Sequence, residues 1–166
     1  MGIKAVDLMT RKLVTLSPEM TLKQMDAVLL KRGVSGAPVV EMRRLIGVAS
    51  QVDVMRSLYD DQVAASRISG FQSSPFPIPL PALEAITKDA RQIGDHMIHR
   101  KVREIMTKDP VVVHPEEPIE EVARRMCADQ IHRLPVIEVE TGELVGIITS
   151  LDLARAISTY GLVSVD

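Results

Sequence analysis

Gly47-Val48-Ala49-Ser50-Gln51-Val52-Asp53 recurs later in the chain as Gly146-Ile147-Ile148-Thr149-Ser150-Leu151-Asp152. Each stretch runs from a short apolar segment, read as a strand, through a hydroxyl residue to an acid three positions on. That order opens a helix, because the hydroxyl and the acid satisfy backbone N–H groups that the first turn leaves unpaired. The offset of 99 that carries Asp53 to Asp152 also carries Arg56 to Arg155. Upstream the offset is 97, taking Met9-Thr10 to Met106-Thr107, Val14 to Val111, Pro18-Glu19 to Pro115-Glu116 and Pro38-Val39 to Pro135-Val136. The polar stretch Glu140-Thr141-Gly142-Glu143 absorbs the two extra residues, as a hairpin turn tolerates. Register kept over so many positions with one small gap marks a single unit used twice.

The elements follow from the repeat. Leu13–Leu16 and Val111–Val113 read as short apolar strands. Leu22, Met25, Val28 and Leu29 make the apolar face of a helix that Gly33 stops, with Thr21 and Gln24 as its capping box. In the second copy Ile119, Val122, Ala123 and Met126 recur at helical spacing. Two strands joined by a turn follow in each copy: Pro38–Glu41 with Leu45–Ala49, and Pro135–Val139 with Leu144–Ile148. A helix opened by Ser50 or Thr149 closes each copy. The expectation is an α/β (α+β type) fold: two β-α-β-β-α motifs, 6–58 and 102–158, packed sheet to sheet with pseudo-twofold symmetry. Residues 59–101 do not repeat and read as a linker. Its first part has Pro at every second position from Pro75 to Pro81, an extended path that serves as a stiff spacer rather than as bait for a Pro-binding domain. Ala82–Arg100 reads as helical.

Composition narrows the function. Hydrophobic residues are 46% of 166, almost all aliphatic, and the net charge is −2. A chain without basic excess or aromatic platforms is not drawn to nucleic acid or to anionic membranes. No apolar run has the length of a membrane span, the first residues do not read as a signal peptide, and Cys127 stands alone. A cytoplasmic protein without a disulfide framework is expected. Asp95, His96 and His99 sit at spacing that could touch a metal, but read as a solvated helix face. Gly33-Val34-Ser35-Gly36 is not a nucleophile elbow, and no Gly-rich phosphate loop or nucleophile-and-base pair is visible, so no enzyme is expected.

The polar motifs point to ligand binding instead. A carboxylate at the first turn of a helix, beside a strand end, can take both hydroxyls of a ribose. Before the middle strand, the second copy has Ile131-His132-Arg133-Leu134-Pro135-Val136, where Arg133 offers a planar fork of donors suited to phosphate; taken by itself, the pair reads as a solvated surface charge beside a histidine packed on its neighbours. The first copy has Val34-Ser35-Gly36-Ala37-Pro38-Val39 and no cation.

These motifs, with Val6-Asp7-Leu8-Met9-Thr10 and Val102-Arg103-Glu104-Ile105-Met106-Thr107, resemble the tandem CBS motif pair named for cystathionine β-synthase, the Bateman module. The resemblance implies a regulatory module that binds an adenosyl ligand: AMP, ADP, ATP or S-adenosylmethionine, with no required cofactor. It implies one site from Asp152, Thr149, Ile131, His132 and Arg133 with Thr10, and another from Asp53, Ser50 and Ser35 with Thr107. Asp would hold the ribose and His132 and Arg133 the phosphates. It also implies a homodimer that regulates a separate protein. The departure at Ser35-Gly36 predicts unequal sites, the Asp152 site binding nucleotide more tightly. The alternative is a ligand-free scaffold that dimerises or docks a partner.

Overall fold

The computed structural model describes residues 2–57, 91 and 94–160. The Pro-rich run and most of the helix expected over 82–100 lie outside the described residues. In chain order the elements are α1 (Ala5–Leu8), α2 (Leu22–Arg32), β1 (Gly36–Glu41) and β2 (Arg44–Ser50), then helical residues 51–57 (α3) and 94–99 (α4). The second half has α5 (Val102–Ile105), β3 (Thr107–Lys108), α6 (Ile119–Asp129), β4 (Arg133–Ile137), β5 (Leu144–Thr149) and α7 (Ser150–Tyr160).

Local chemistry explains the boundaries. Thr21 caps α2 through the expected box: its Oγ accepts from Gln24 N at 3.2 Å, and Gln24 Oε1 accepts from Thr21 N at 2.9 Å. Gly33 ends α2 at φ 65°, in the left-handed region that costs glycine nothing. The equivalent stop after α6 is Gln130, which takes φ 54° without that freedom. Strand β1 turns into β2 at Met42 and Arg43, both at positive φ. This two-residue turn follows the right-handed twist of the strands although neither residue is Asn or Gly. The strands expected at Leu13–Leu16 and Val111–Val113 contract to single parallel bridges, Leu16 to Val39 and Val113 to Val136. Each stretch rises through one buried residue between more exposed neighbours, so only that residue is held against the neighbouring strand.

The chain divides into two compact units, and they do not follow the repeats end to end. Unit 1 comprises residues 1–15, 40–47 and 108–166; unit 2 comprises 16–39 and 48–107. The segment that leads into each copy has therefore crossed to the other copy. In unit 1, α1 is docked by Ala5 N on Glu117 O and Val6 N on Pro115 O, both at 2.9 Å. In unit 2, α5 repeats this with Val102 N on Met20 O at 2.9 Å and Arg103 N on Pro18 O at 3.2 Å. Ion pairs hold the outside of each crossing at positions related by the same offset: Lys4 with Glu116, and Lys101, joined by Arg103, with Glu19.

The cores repeat as well. Unit 1 buries Ala5, Val113, Val122, Met126, Leu134 and Ile148; unit 2 buries their counterparts Val102, Leu16, Met25, Leu29, Ala37 and Ala49. Sheet order is β1-β2-β3 in one sheet and β4-β5 in the other. The partner that β3 supplies to β2 is supplied to β5 by Thr10, bridged to Ile147. Met9 then lies across Gly146, where an added Cβ would fall 2.4 Å from its sulfur and 3.0 Å from its Cβ. No helix among the described residues is long and apolar enough to cross a membrane.

Two outcomes follow. Gly146→Ala should cost about 1–3 kcal/mol by forcing Met9 out of place. In the double variant with Met9→Ala the two losses should sum to less than additive in denaturant unfolding. The Glu19 carboxyl is held below its ordinary value, first by the hydrogen bond from Lys101. Its contribution is therefore present above the ordinary carboxylate range and lost as pH falls through the lowered pKa. The Tm gap between wild type and Glu19→Gln should close as pH drops from 7 through that range.

Candidate functional site

Each unit holds one corner where a strand hands over to a helix. In unit 1, Asp152 reaches back from the first turn of α7, and its Oδ2 accepts from Thr149 N at 2.8 Å and from Thr149 Oγ1 at 2.7 Å. Thr149 Oγ1 in turn accepts from Asp152 N at 3.3 Å. The second carboxylate oxygen, Oδ1, lies 3.6 Å from Arg155 Nη1. Asp152 is 8% exposed, so this is a nearly buried carboxylate whose charge is held by a helix N-terminus and local donors.

The strands bring the other predicted residues of this corner alongside. Arg133, the first residue of β4, is the register partner of Thr149 at the end of β5. His132 O accepts from Ser150 N at 3.0 Å, which ties the approach to β4 to the start of α7. Thr10 exchanges two backbone hydrogen bonds with Ile147, at 2.9 and 3.1 Å, and so lies along β5 two residues from Thr149. Thr10 and His132 are exposed and Arg133 is half-buried. Ile131 is partly buried against the core of unit 1, with its N–H on Met126 O at 2.9 Å.

Unit 2 repeats the corner with different side chains. Asp53 Oδ2 accepts from Ser50 N at 2.8 Å and Ser50 Oγ at 2.6 Å, and Asp53 Oδ1 lies 3.6 Å from Arg56 Nη1. Gln51 N donates to Ser35 O at 3.0 Å, the counterpart of Ser150 on His132. Thr107 is in β3 of the same sheet as β2. Gly36 stands where unit 1 has Arg133, and an added Cβ would meet Ser50 Cβ at 2.8 Å and Ala49 O at 2.9 Å. The strands are closed too tightly there for any side chain.

The profile of the CBS domain matches residues 5–60 and 102–159. The chain belongs to the CBS-domain family. Among relatives, the uncharacterised protein MJ1426 of Methanocaldococcus jannaschii is 32% identical over 134 residues, covering 76% of this chain and 75% of that protein. The inosine-5′-monophosphate dehydrogenase of Korarchaeum cryptofilum is 27% identical over 150 residues, and the chain spans only 23% of its length. Among solved structures, the CBS domain pair of MJ0100 with 5′-methylthioadenosine and S-adenosyl-L-methionine matches at TM-score 0.67 and 19% identity, covering 96% of this chain and 99% of that one. CBSX2, the CBS-pair protein of Arabidopsis thaliana, matches at TM-score 0.71 and 22% identity, over 96% of this chain and 97% of that one. The same protein in complex with AMP matches at 0.69 and 24%, over 97% and 100%. These likenesses show the fold.

Other groups differ from the sequence-based expectation. His96 is not on a solvated face: it is buried, with Nε2 2.9 Å from Ser57 Oγ, while Ser57 Oγ bonds Val54 O at 2.8 Å. A Ser–His contact thus exists where none was legible, because Ser57 closes the first copy and His96 lies far along the non-repeating segment. His99 Nδ1 lies 2.9 Å from its own-helix Asp95 O, and no three metal-ligating side chains gather among the described residues. A cavity of about 370 Å³ in unit 1, lined by residues such as Arg44, Asp109 and Ile137, shares no residue with the Asp152 corner. Thr149→Val should remove the hydroxyl cap and cost about 1 kcal/mol in denaturant unfolding without altering the m-value.

Proposed function

We propose that the chain is a regulatory module that binds an adenosine-bearing ligand at the Asp152 corner of unit 1, with a second, unlike site at the Asp53 corner of unit 2. The observation that carries the reading is the pairing of Arg133 with Thr149 across β4 and β5, beside a nearly buried Asp152. A ribose and its phosphate need that combination. One carboxylate oxygen is spent on the cap, and Oδ1 is left to share between Arg155 and ribose hydroxyls. Arg133 and His132 then meet the phosphate, and Thr10 closes the side of the corner along β5. The complexes of MJ0100 with methylthioadenosine and S-adenosylmethionine and of CBSX2 with AMP support an adenosyl ligand. AMP, ADP, ATP and S-adenosylmethionine are the candidates.

Binding signals only if the ligand favours one arrangement of the module over another, and a coupling of about 1–3 kcal/mol suffices. The family fold occurring as about a quarter of a dehydrogenase supports a sensing role in the service of another activity. The chain acts as a homodimer in this reading. Val52 and Leu151, at equivalent positions of the repeat, are 64% and 57% exposed at the starts of α3 and α7. Apolar side chains left open at both equivalent sites suit a second copy.

The test is dye-monitored thermal unfolding with AMP, ADP, ATP, S-adenosylmethionine, NAD and GTP. An adenine nucleotide at a hundred times its Kd should add about 2.7 kcal/mol, a rise of several degrees. The rise should be absent with GTP and absent for adenine nucleotides in Asp152→Ala. No shift with any ligand would favour the ligand-free scaffold. Light scattering should give a dimer mass for wild type and a monomer mass for Val52→Asp with Leu151→Asp; a monomeric wild type would contradict the dimer.

A further inference from the structure

The two corners share a backbone plan and differ in charge. Arg56 and Arg155 stand at the same place in each, 3.6 Å from Asp53 Oδ1 and from Asp152 Oδ1, so they do not distinguish the corners. Four other positions do differ. His132 of unit 1 is replaced by Ser35, Arg133 by Gly36, Ser150 by Gln51, and Ala123, by the offset of 97, by Asp26. Gln51 opens α3 with its N–H on Ser35 O, and its side-chain amide donates to Asp26 Oδ1 at 3.1 Å in a part-buried contact. This bond draws a second carboxylate toward the Asp53 corner, where unit 1 has an alanine. Against the same pair of shared charges, then, unit 1 adds a cation and unit 2 adds an anion.

The loss of the cation is built into the backbone. A Cβ at Gly36 would overlap Ser50 Cβ at 2.8 Å and Ala49 O at 2.9 Å. Neither obstruction is the far end of a flexible side chain, so no rotamer relieves it. A phosphate at this corner would find Asp53, with the Asp26 carboxylate held one side chain away through Gln51, and none of the planar donors that Arg133 supplies in unit 1. A ribose would still find Asp53 and Ser50 in the same geometry as Asp152 and Thr149. A positively charged group on the ligand would be favoured by Asp26.

Building on the adenosyl-binding reading above, we infer that the two corners select ligands of opposite charge: the Asp152 corner takes the phosphate-bearing nucleotide, and the Asp53 corner takes a phosphate-free adenosyl ligand, a sulfonium nucleoside being the best fit. Isothermal titration of the full chain with AMP, adenosine and S-adenosylmethionine tests it. AMP should fill one site per chain. Its affinity should fall about tenfold or more in the H132S/R133G double variant, which copies unit 2 into unit 1, and should be unchanged in Asp53→Asn. S-adenosylmethionine should lose its tight site in Asp53→Asn and keep it in Asp152→Asn. Asp26→Asn, which leaves the helix cap whole, should weaken S-adenosylmethionine severalfold and leave adenosine unchanged. This last variant carries the test if Asp53→Asn does not fold by circular dichroism. AMP filling two equal sites, or S-adenosylmethionine depending on Asp152 and not on Asp53, would overturn the charge selection while leaving the adenosyl reading intact. No binding of any of the three would overturn both.

Discussion

The hydroxyl-to-carboxylate bond at each strand-to-helix corner is the constraint on which the rest of this structure depends. Thr149 and Ser50 end a strand, and Asp152 and Asp53 lie one turn into the following helix. One carboxylate oxygen takes both the backbone N–H and the hydroxyl of the strand-end residue. That fixes the angle at which the helix leaves the sheet. It also holds a charged group in a nearly buried place at little cost, because its first oxygen is saturated and the helix N-terminus favours its charge. The cap uses Oδ2 of each acid and leaves Oδ1 beside an arginine, so the motif can be kept twice while the surrounding side chains diverge.

The second constraint is the crossing of the lead segments. A single copy has too little apolar surface to offset the ordering of its own chain. Exchanging α1 and α5 makes each unit a composite of both copies, so neither core is complete without the other half of the sequence. Ala5 and Val102 are fully buried in the opposite copy's core, and the Lys4–Glu116 and Lys101–Glu19 pairs sit outside them. The burial supplies the stability. The exposed ion pairs add orientation more than energy. Functionally, the crossing delivers Thr10 to the sheet that carries Thr149, and Thr107 to the sheet that carries Ser50.

Much of this was legible in the sequence. The repeat predicted both helix–hairpin–helix runs, and the capping box at Thr21 and the stop at Gly33 appear as local chemistry requires. What escaped was what depends on contacts between distant segments. Leu13–Leu16 has the composition of a strand, but only Leu16 finds a partner. His96 reads as a surface residue from its polar neighbours, and is buried because Ser57 faces it from another helix. The contact between Gln51 and Asp26 has no counterpart in the second copy, so repeat symmetry was silent about it. In the candidate site, the acids and hydroxyls were readable from spacing alone, whereas the closure at Gly36 required the strand separation.

A structure of the chain crystallised with AMP tests the central claim most directly. The account predicts the ribose hydroxyls on Asp152 Oδ1 and the phosphate on Arg133 and His132. A nucleotide bound away from Asp152, or one whose phosphate lies at Ser35 and Gly36, would contradict it.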